Sequence, residues 1–130
     1  MDPAQLFRHD SDPLLLAPGE VLFRAGEPGH QMFVLLEGAI EIRVGDQVVE
    51  TAGAGALLGE MALINESPRT ATAAATSACR LAKVDARRFH FLIQQNPFFA
   101  THVMRVLVAR LQRMNQLVGA QWGRIYIIDN

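Results

Sequence analysis

The sequence predicts a mainly β domain, an eight-stranded antiparallel β-barrel or jelly roll followed by two α-helices. Short apolar segments separated by glycine-containing turns run from residue 14 to about residue 85. Apolar and polar residues alternate in segment 40–44, as in a strand with one buried face. After Asp85 the next glycine is Gly119, and apolar residues recur with the spacing of a helix. Strands followed by helices are therefore expected.

Composition limits the classes of protein that fit. With 130 residues, half of them apolar, the chain suffices for one domain and one core, 1–130, with strands in 14–85, helices in 86–121 and a tail in 122–130. The net charge of −1 and the lack of a basic patch argue against nucleic acid or a membrane as a partner. The only cysteine, Cys79, cannot form a disulfide within the chain, which favours a cytoplasmic location. The first residues have neither the basic nor the apolar region of a signal peptide, so none is expected, and no apolar run reaches the ~18 residues that span a membrane.

Glycine and proline mark where the predicted strands end. Residues 1–13 are polar and form a lead-in with at most one helical turn. The strands are expected in segments 14–16, 21–24, 31–37, 39–44, 47–52, 57–58, 69–75 and 79–84. Gly45-Asp46 is typical of a two-residue hairpin turn, which would pair the fourth strand with the fifth.

Two helices are predicted after the strands. Asp85 is placed as the N-cap of a helix over 86–93, and Pro97 as the first residue of the next. The second helix carries apolar residues at alternating steps of four and three, as in a coiled-coil seam. The members of this seam are Ala100, Met104, Leu107, Leu111, Met114, Val118 and Gln121. Its first half is expected to pack on the barrel and its second half to meet another chain, while 125–128 would form an edge strand or an arm.

Segment 57–72 combines the side chains that a small anionic ligand with hydroxyl groups requires. Gly59 lets the backbone approach a ligand closely, and the turn that begins there presents free N–H groups to an anion. Arg69 supplies a planar, permanently charged fork for a phosphate, and Thr70 adds a hydroxyl. Glu60 only accepts hydrogen bonds, so it favours a sugar hydroxyl. A phosphate site beside a sugar site is predicted.

The run Gly-Glu-Met-Ala-Leu-Ile, followed by Pro-Arg-Thr-Ala-Thr, resembles the phosphate-binding cassette of cyclic nucleotide-binding domains. The resemblance implies that Glu60 binds the ribose 2′-OH and that Arg69 binds the cyclic phosphate. It also implies that backbone N–H groups around Met61 and Ala62 complete the phosphate site. Leu58 stands at a cassette position where an aromatic residue often precedes Gly59.

The resemblance leaves the base open. A threonine beside the phosphate-binding arginine can bond the 2-amino group of a syn guanine in this family, so Thr70 admits cyclic GMP as well as cyclic AMP. Alignment of the last helix with catabolite-activator proteins places Met114 and Asn115 near the base. Asn115 would read the base edge of a ligand bound to its own subunit or to a partner subunit.

The leading hypothesis is a non-catalytic sensor that binds cyclic AMP or cyclic GMP, with no cofactor and no metal. It would signal through rearrangement of its C-terminal helices to an effector protein or to a second subunit in a homodimer. One alternative is a module of the same fold kept only for dimerisation. The other is a cupin-type metal enzyme, which needs a histidine cluster that the strand region, with only His30, does not offer. Only nine residues follow Gln121, so a DNA-binding domain within this sequence is not expected. We expect either a stand-alone sensor, which is favoured, or the regulatory piece of a longer protein.

Overall fold

A computed structural model describes residues 2–122, with side chains up to Gln116. A short helix, α1 (Pro3–Leu6), precedes the strands. The strands are β1 (Leu14–Leu16), β2 (Val21–Phe23), β3 (Gln31–Glu37), β4 (Ile40–Val44), β5 (Gln47–Ala52), β6 (Leu57–Leu58), β7 (Thr72–Ala75) and β8 (Cys79–Asp85). The other helices are α2 (Glu60–Asn65), between β6 and β7, and α3 (Ala86–Gln95) and α4 (Pro97–Trp122), after β8.

The eight strands form two antiparallel four-stranded sheets, in the orders β1-β8-β3-β6 and β2-β7-β4-β5. This confirms the predicted jelly roll with C-terminal helices, although the sheets face each other without closing into a barrel. The predicted bounds of β1, β3, β5 and β6 are those observed. Because sequential strands often lie in opposite sheets, the segments between them cross from one layer to the other.

β7 begins three residues later than predicted, at Thr72. Arg69 lies in the loop before it, where its backbone bonds to another loop rather than to a strand. The Arg69 N–H donates to the Glu27 carbonyl at 2.8 Å, and the Gly26 N–H donates to the Arg69 carbonyl at 2.8 Å. These two bonds fix the Arg69 backbone at the mouth of the sheet sandwich.

The core has two layers, one on each side of β3. Phe33 and Leu35 pack between the two sheets. Met32 and Val34 face the helices, where Phe99 and Val103 of α4 cover them. β3 is therefore buried on both faces, which explains its uninterrupted apolar run from Met32 to Leu36.

Local sequence signals set the helix starts. The Asp85 carboxylate accepts the N–H of Arg88 at 2.8 Å and caps α3, and Pro97 is the first residue of α4, both as predicted. α4 continues past Gly119 to Trp122. Within residues 2–122 no helix combines the length and the apolar character needed to cross a membrane.

The predicted seam on α4 is wrong in its first half. Phe99 and Val103 are the buried residues, whereas Met104 is 59% exposed. The buried face is thus rotated by one residue from the predicted one, because apolar spacing marks a stripe along the helix but not which part of it meets the sheet. Leu107 packs against the core as expected, and Leu111 and Met114 are exposed. The side chains of Val118 and Gln121 and the whole of segment 125–128 lie outside the described residues.

Candidate functional site

A cavity of about 550 Å³ opens where α2, the end of the β2-β7-β4-β5 sheet and α4 meet. Gly59, Glu60, Met61 and Ala62 form one wall, and the loop from Arg69 to Ala71 forms another. β4 and β5 supply mainly apolar side chains together with Glu50. α4 closes the cavity with Leu107, Arg110, Leu111, Arg113 and Met114.

Gly59 connects β6 to α2. Its φ of 78° lies in the left-handed region, and a Cβ there would collide with the Arg69 guanidinium. Without a side chain, Gly59 makes no side-chain cap for α2, so the first turn of α2 keeps N–H groups free of such a partner. Glycine is required here for two reasons: it adopts the left-handed backbone conformation, and it lets the Arg69 guanidinium approach the backbone closely.

Arg69 is a buried cation held in one position. Arg69 is only 7% exposed to solvent. Nη1 donates to the Gly59 carbonyl at 3.1 Å, and Nη2 donates to the Gln31 carbonyl at 2.7 Å. The guanidinium carbon lies 4.3 Å from the centre of the Phe23 ring.

Nε of Arg69 is buried and has no hydrogen-bond partner among the described residues. Burial lowers the pKa of Arg69, an effect that the charges of Glu27 and Glu60 oppose. A fixed guanidinium with an unused donor is suited to an anion, whose charge would offset the cost of burial.

Glu60 and Arg110 form a buried ion pair across the cavity. Glu60 is 1% exposed and accepts a hydrogen bond from Nη1 of Arg110. Arg110 also donates from Nε and Nη2 to Glu50, at 3.0 and 2.9 Å, and from Nη2 to the Leu57 carbonyl at 2.6 Å. Burial would lower the pKa of Arg110, but hydrogen bonds to Glu50 and the charge of Glu60 outweigh it and raise the pKa. α4 is therefore attached to the cassette and to β5 by one guanidinium.

The structure brings most of the predicted site residues together. Thr70 is exposed at the cavity wall, with its Oγ1 3.9 Å from Sδ of Met61. Leu58 does not line the cavity; it is fully buried between the two sheets. Asn115 does not line it either, and its Oδ1 is buried without a partner among the described residues. Consecutive helix residues point about 100° apart, so Met114 can face the cavity when Asn115 does not.

Sequence reasoning missed Arg110 and Glu50. Arg110 follows Leu107 by three residues and precedes Met114 by four, so helical periodicity would have placed it on the same face. Glu50 offered no comparable signal. A regular hairpin at 45–46 would set Glu50 opposite Glu41, on the polar face, whereas a shift of register next to Ile42 sets Glu50 opposite Ile42 instead.

The ion pairs of Glu50 predict a pH-dependent contribution to stability. Burial raises the pKa of Glu50, but hydrogen bonds and charge from Arg110, with the charge of Arg113, outweigh burial and lower the pKa. The stabilisation is thus present above the pKa of an unfolded glutamate, about 4.3, and is lost as pH falls through the lower folded value. Glu50→Gln should reduce the free energy of unfolding in urea at pH 7 and have a much smaller effect at pH 3.

Glu41→Gln is the matched control for this measurement. Glu41 is on the neighbouring strand and pairs with Arg43, which is 46% exposed. Such an exposed pair contributes little, so stability should change little at either pH. An equal loss at pH 7 and pH 3 for Glu50→Gln would contradict the assignment.

Comparison with known proteins gives a consistent result. The family model described as "Cyclic nucleotide-binding domain" matches residues 13–96. A cyclic nucleotide-gated potassium channel of Rhizobium etli is 37% identical over 98 residues, which are 75% of this chain. The match covers only 27% of the channel, so the chain spans about a quarter of that relative's length.

The fold is shared with solved structures of other proteins. One, described as PKAR CBD2 bound to Sp-2Cl-cAMPS, has a TM-score of 0.72 and 25% identity, covering 82% of this chain and 70% of that one. Another, from work on a cyclic-GMP-dependent signalling pathway in bacterial phytopathogenesis, has a TM-score of 0.67 and 31% identity. It covers 76% of this chain and 82% of that one.

Proposed function

The chain belongs to the cyclic nucleotide-binding domain family, and on this premise we propose that it binds cyclic AMP in the cavity between the cassette and α4. Relatives of this chain include a potassium channel and a kinase regulatory subunit, and the proposal assigns the domain a regulatory role. The proposal assigns the cyclic phosphate to Arg69 and to the N–H groups of Met61 and Ala62. It assigns the ribose 2′-OH to Glu60.

One observation carries the proposal: Arg69, a buried cation whose Nε has no partner among the described residues, lines the same cavity as Glu60. A cyclic nucleotide has one phosphate charge and one free ribose hydroxyl. The cation matches the first group and the carboxylate matches the second. The side chains of β4, β5 and α4 provide an apolar surface against which the base can pack.

Cyclic GMP is the second candidate ligand. Thr70 lies at the cavity wall beside Arg69, where a hydroxyl can accept a hydrogen bond from a guanine amino group. The proposal assigns the base contact on α4 to Arg113 and Met114, because they line the cavity and Asn115 does not. Cyclic AMP is the leading ligand because a relative that is 35% identical over 77 residues is a cAMP-dependent protein kinase regulatory subunit, and because the solved structure described as PKAR CBD2 carries Sp-2Cl-cAMPS.

The signalling route we propose passes through α4. This helix contributes the Arg110 side chain to the cavity and keeps Leu111 and Met114 exposed. A nucleotide that contacts Arg110 would therefore shift the equilibrium between positions of α4, within the limit set by its difference in affinity for them. The receiver would be an effector protein or a second copy in a homodimer, and a sedimentation coefficient unchanged by ligand would count against the second copy.

Isothermal calorimetry with cyclic AMP, cyclic GMP and linear 5′-AMP tests the binding proposal. Cyclic AMP should give saturable heat at a 1:1 ratio and raise the melting temperature, since a ligand that binds only the folded state stabilises it. Linear 5′-AMP carries a second phosphate charge and lacks the cyclic phosphodiester ring, so it should bind more weakly. No heat and no rise in melting temperature with millimolar amounts of either cyclic nucleotide would sink the proposal.

Gly59→Ala should weaken both folding and nucleotide binding. The positive φ of Gly59 alone costs ~1–3 kcal/mol for a residue with a side chain, and the added methyl group would displace the Arg69 guanidinium. Gly45→Ala is the control, because Gly45 also has a positive φ, of 60°, but open space around it. The control should lose stability and keep its affinity for cyclic AMP, whereas unaltered affinity in Gly59→Ala would show that Arg69 is not held through this contact.

A further inference from the structure

We propose that Glu50 is a positioning residue that keeps one oxygen of Glu60 available to the ligand. By holding one edge of the Arg110 guanidinium, Glu50 prevents Arg110 from pairing with both oxygens of Glu60. This inference rests on the proposed function, because the group that takes the available oxygen is the ribose hydroxyl of a cyclic nucleotide.

The geometry of the pair supports this role. Nε and Nη2 of Arg110 donate to Oε1 and Oε2 of Glu50, at 3.0 and 2.9 Å, so the two groups meet side-on. Nη2 also donates to the Leu57 carbonyl at 2.6 Å. Only Nη1 is directed to Glu60, through Oε1. Both side chains of the pair are shielded, at 14% exposure for Arg110 and 17% for Glu50.

The consequence for Glu60 follows from the shape of a guanidinium. A bidentate contact with Glu60 would need Nη1 and Nη2 together, and Nη2 is already committed to Glu50 and Leu57. Accordingly, Oε2 of Glu60 accepts no hydrogen bond from the described side chains, while Oε1 does. Removing the Glu50 carboxylate would release the Nε–Nη2 edge and let the guanidinium rotate away from the Leu57 carbonyl, so that Nη1 and Nη2 could bond both oxygens of Glu60.

The local charges are balanced as well. Arg113 donates to Oε1 of Glu50 at 2.9 Å, so two arginines of α4 face the two carboxylates, Glu50 and Glu60. Their charges cancel within the cluster. The single negative charge of a cyclic phosphate is then left to Arg69, on the other wall of the cavity.

The test compares cyclic AMP with 2′-deoxy cyclic AMP, which lacks the hydroxyl, by calorimetry on Glu50→Gln. The affinity for cyclic AMP should fall about tenfold, the loss expected of one hydrogen bond to a charged group. The affinity for the 2′-deoxy nucleotide should change less than about twofold, because that ligand does not need Oε2. Glu41→Gln, the control on β4, should bind both nucleotides as the unaltered protein does.

Arg110→Ala provides the second arm. If Glu50 acts through Arg110, then Glu50→Gln should not change the ratio of the two affinities once Arg110 is absent. Glu50→Asp keeps the charge on a shorter side chain and should give an intermediate loss. Glu50→Asp preserves an ion pair with Arg110. It therefore replaces Glu50→Gln in this test if Glu50→Gln does not fold.

Three results decide the matter. A selective loss for cyclic AMP that disappears in the Arg110→Ala background supports the inference. Equal losses for both nucleotides overturn it, since Glu50 would then only dock α4. Failure of the unaltered protein to bind either nucleotide overturns the proposed function and this inference together.

Discussion

Arg69→Ala is expected to weaken the binding of cyclic AMP at least tenfold. A hydrogen bond to a charged group contributes ~1.5–3 kcal/mol, and ~1.4 kcal/mol is a factor of ten in affinity. The expected loss is large because the guanidinium is already fixed: two carbonyls and the Phe23 ring hold it before any ligand arrives. Little entropy is then spent on ordering the side chain when the phosphate binds. Calorimetry at constant ionic strength would measure the change.

Two further variants show whether affinity depends on the planar, forked shape of the guanidinium or only on its charge. Arg69→Lys keeps the charge but cannot bond the Gly59 and Gln31 carbonyls and a phosphate with one planar group, so most of the affinity should still be lost. Arg43→Ala removes an arginine from β4 that does not line the cavity, and it should bind normally. Since Arg69→Ala also leaves two carbonyls without this donor, thermal unfolding must show that the variant is folded at the titration temperature. Normal cyclic AMP binding by folded Arg69→Ala would refute the phosphate assignment.

Glu60→Ala is expected to reduce cyclic AMP affinity about tenfold and to leave the affinity for 2′-deoxy cyclic AMP nearly unchanged. Glu60 is 1% exposed and its carboxylate only accepts hydrogen bonds, so the substitution should remove a hydrogen bond from the ribose hydroxyl. Arg110 would keep its side-on contact with Glu50 and its bond to the Leu57 carbonyl. The guanidinium would therefore stay paired, and the fold should survive the substitution.

Glu60→Gln refines this measurement. Its amide retains one acceptor oxygen but lacks the charge, so its affinity for cyclic AMP should lie between that of the unaltered protein and that of Glu60→Ala. Parallel titrations with both nucleotides separate a sugar contact from a general disturbance of the cavity. If Glu60→Ala bound both nucleotides equally badly, Glu60 would be acting on the cassette as a whole rather than on the sugar.

Several elements were predictable because their cause is local. The apolar run of β3, the turn at Gly45-Asp46 and the Asp85 cap each follow from a few neighbouring residues, and the structure confirms them. The cassette was predictable for the same reason. Gly59, Glu60 and Arg69 lie within eleven residues of one another, so their common cavity follows from one turn and one loop.

Other features depend on the whole fold. The ligand contacts of Leu58 and Asn115 stay predictions, although Leu58 is buried between the sheets and Met114 rather than Asn115 lines the cavity. The first half of the predicted seam on α4 is wrong. Apolar spacing marks a stripe, but which part of it is buried depends on how the helix crosses β3.

The sequence by itself determined the strands, the helix starts and the local cluster of Gly59, Glu60 and Arg69, because backbone preference and side-chain chemistry act over a few residues. Only the tertiary structure decided that Arg110 would join Glu60 and Glu50, since those contacts close loops of 50 and 60 residues. A one-residue shift in the β4–β5 register turned Glu50 from the polar face to the cavity. Such a shift reverses which face of a strand a side chain occupies, and it is settled by packing of the whole sandwich rather than by the hairpin's own residues.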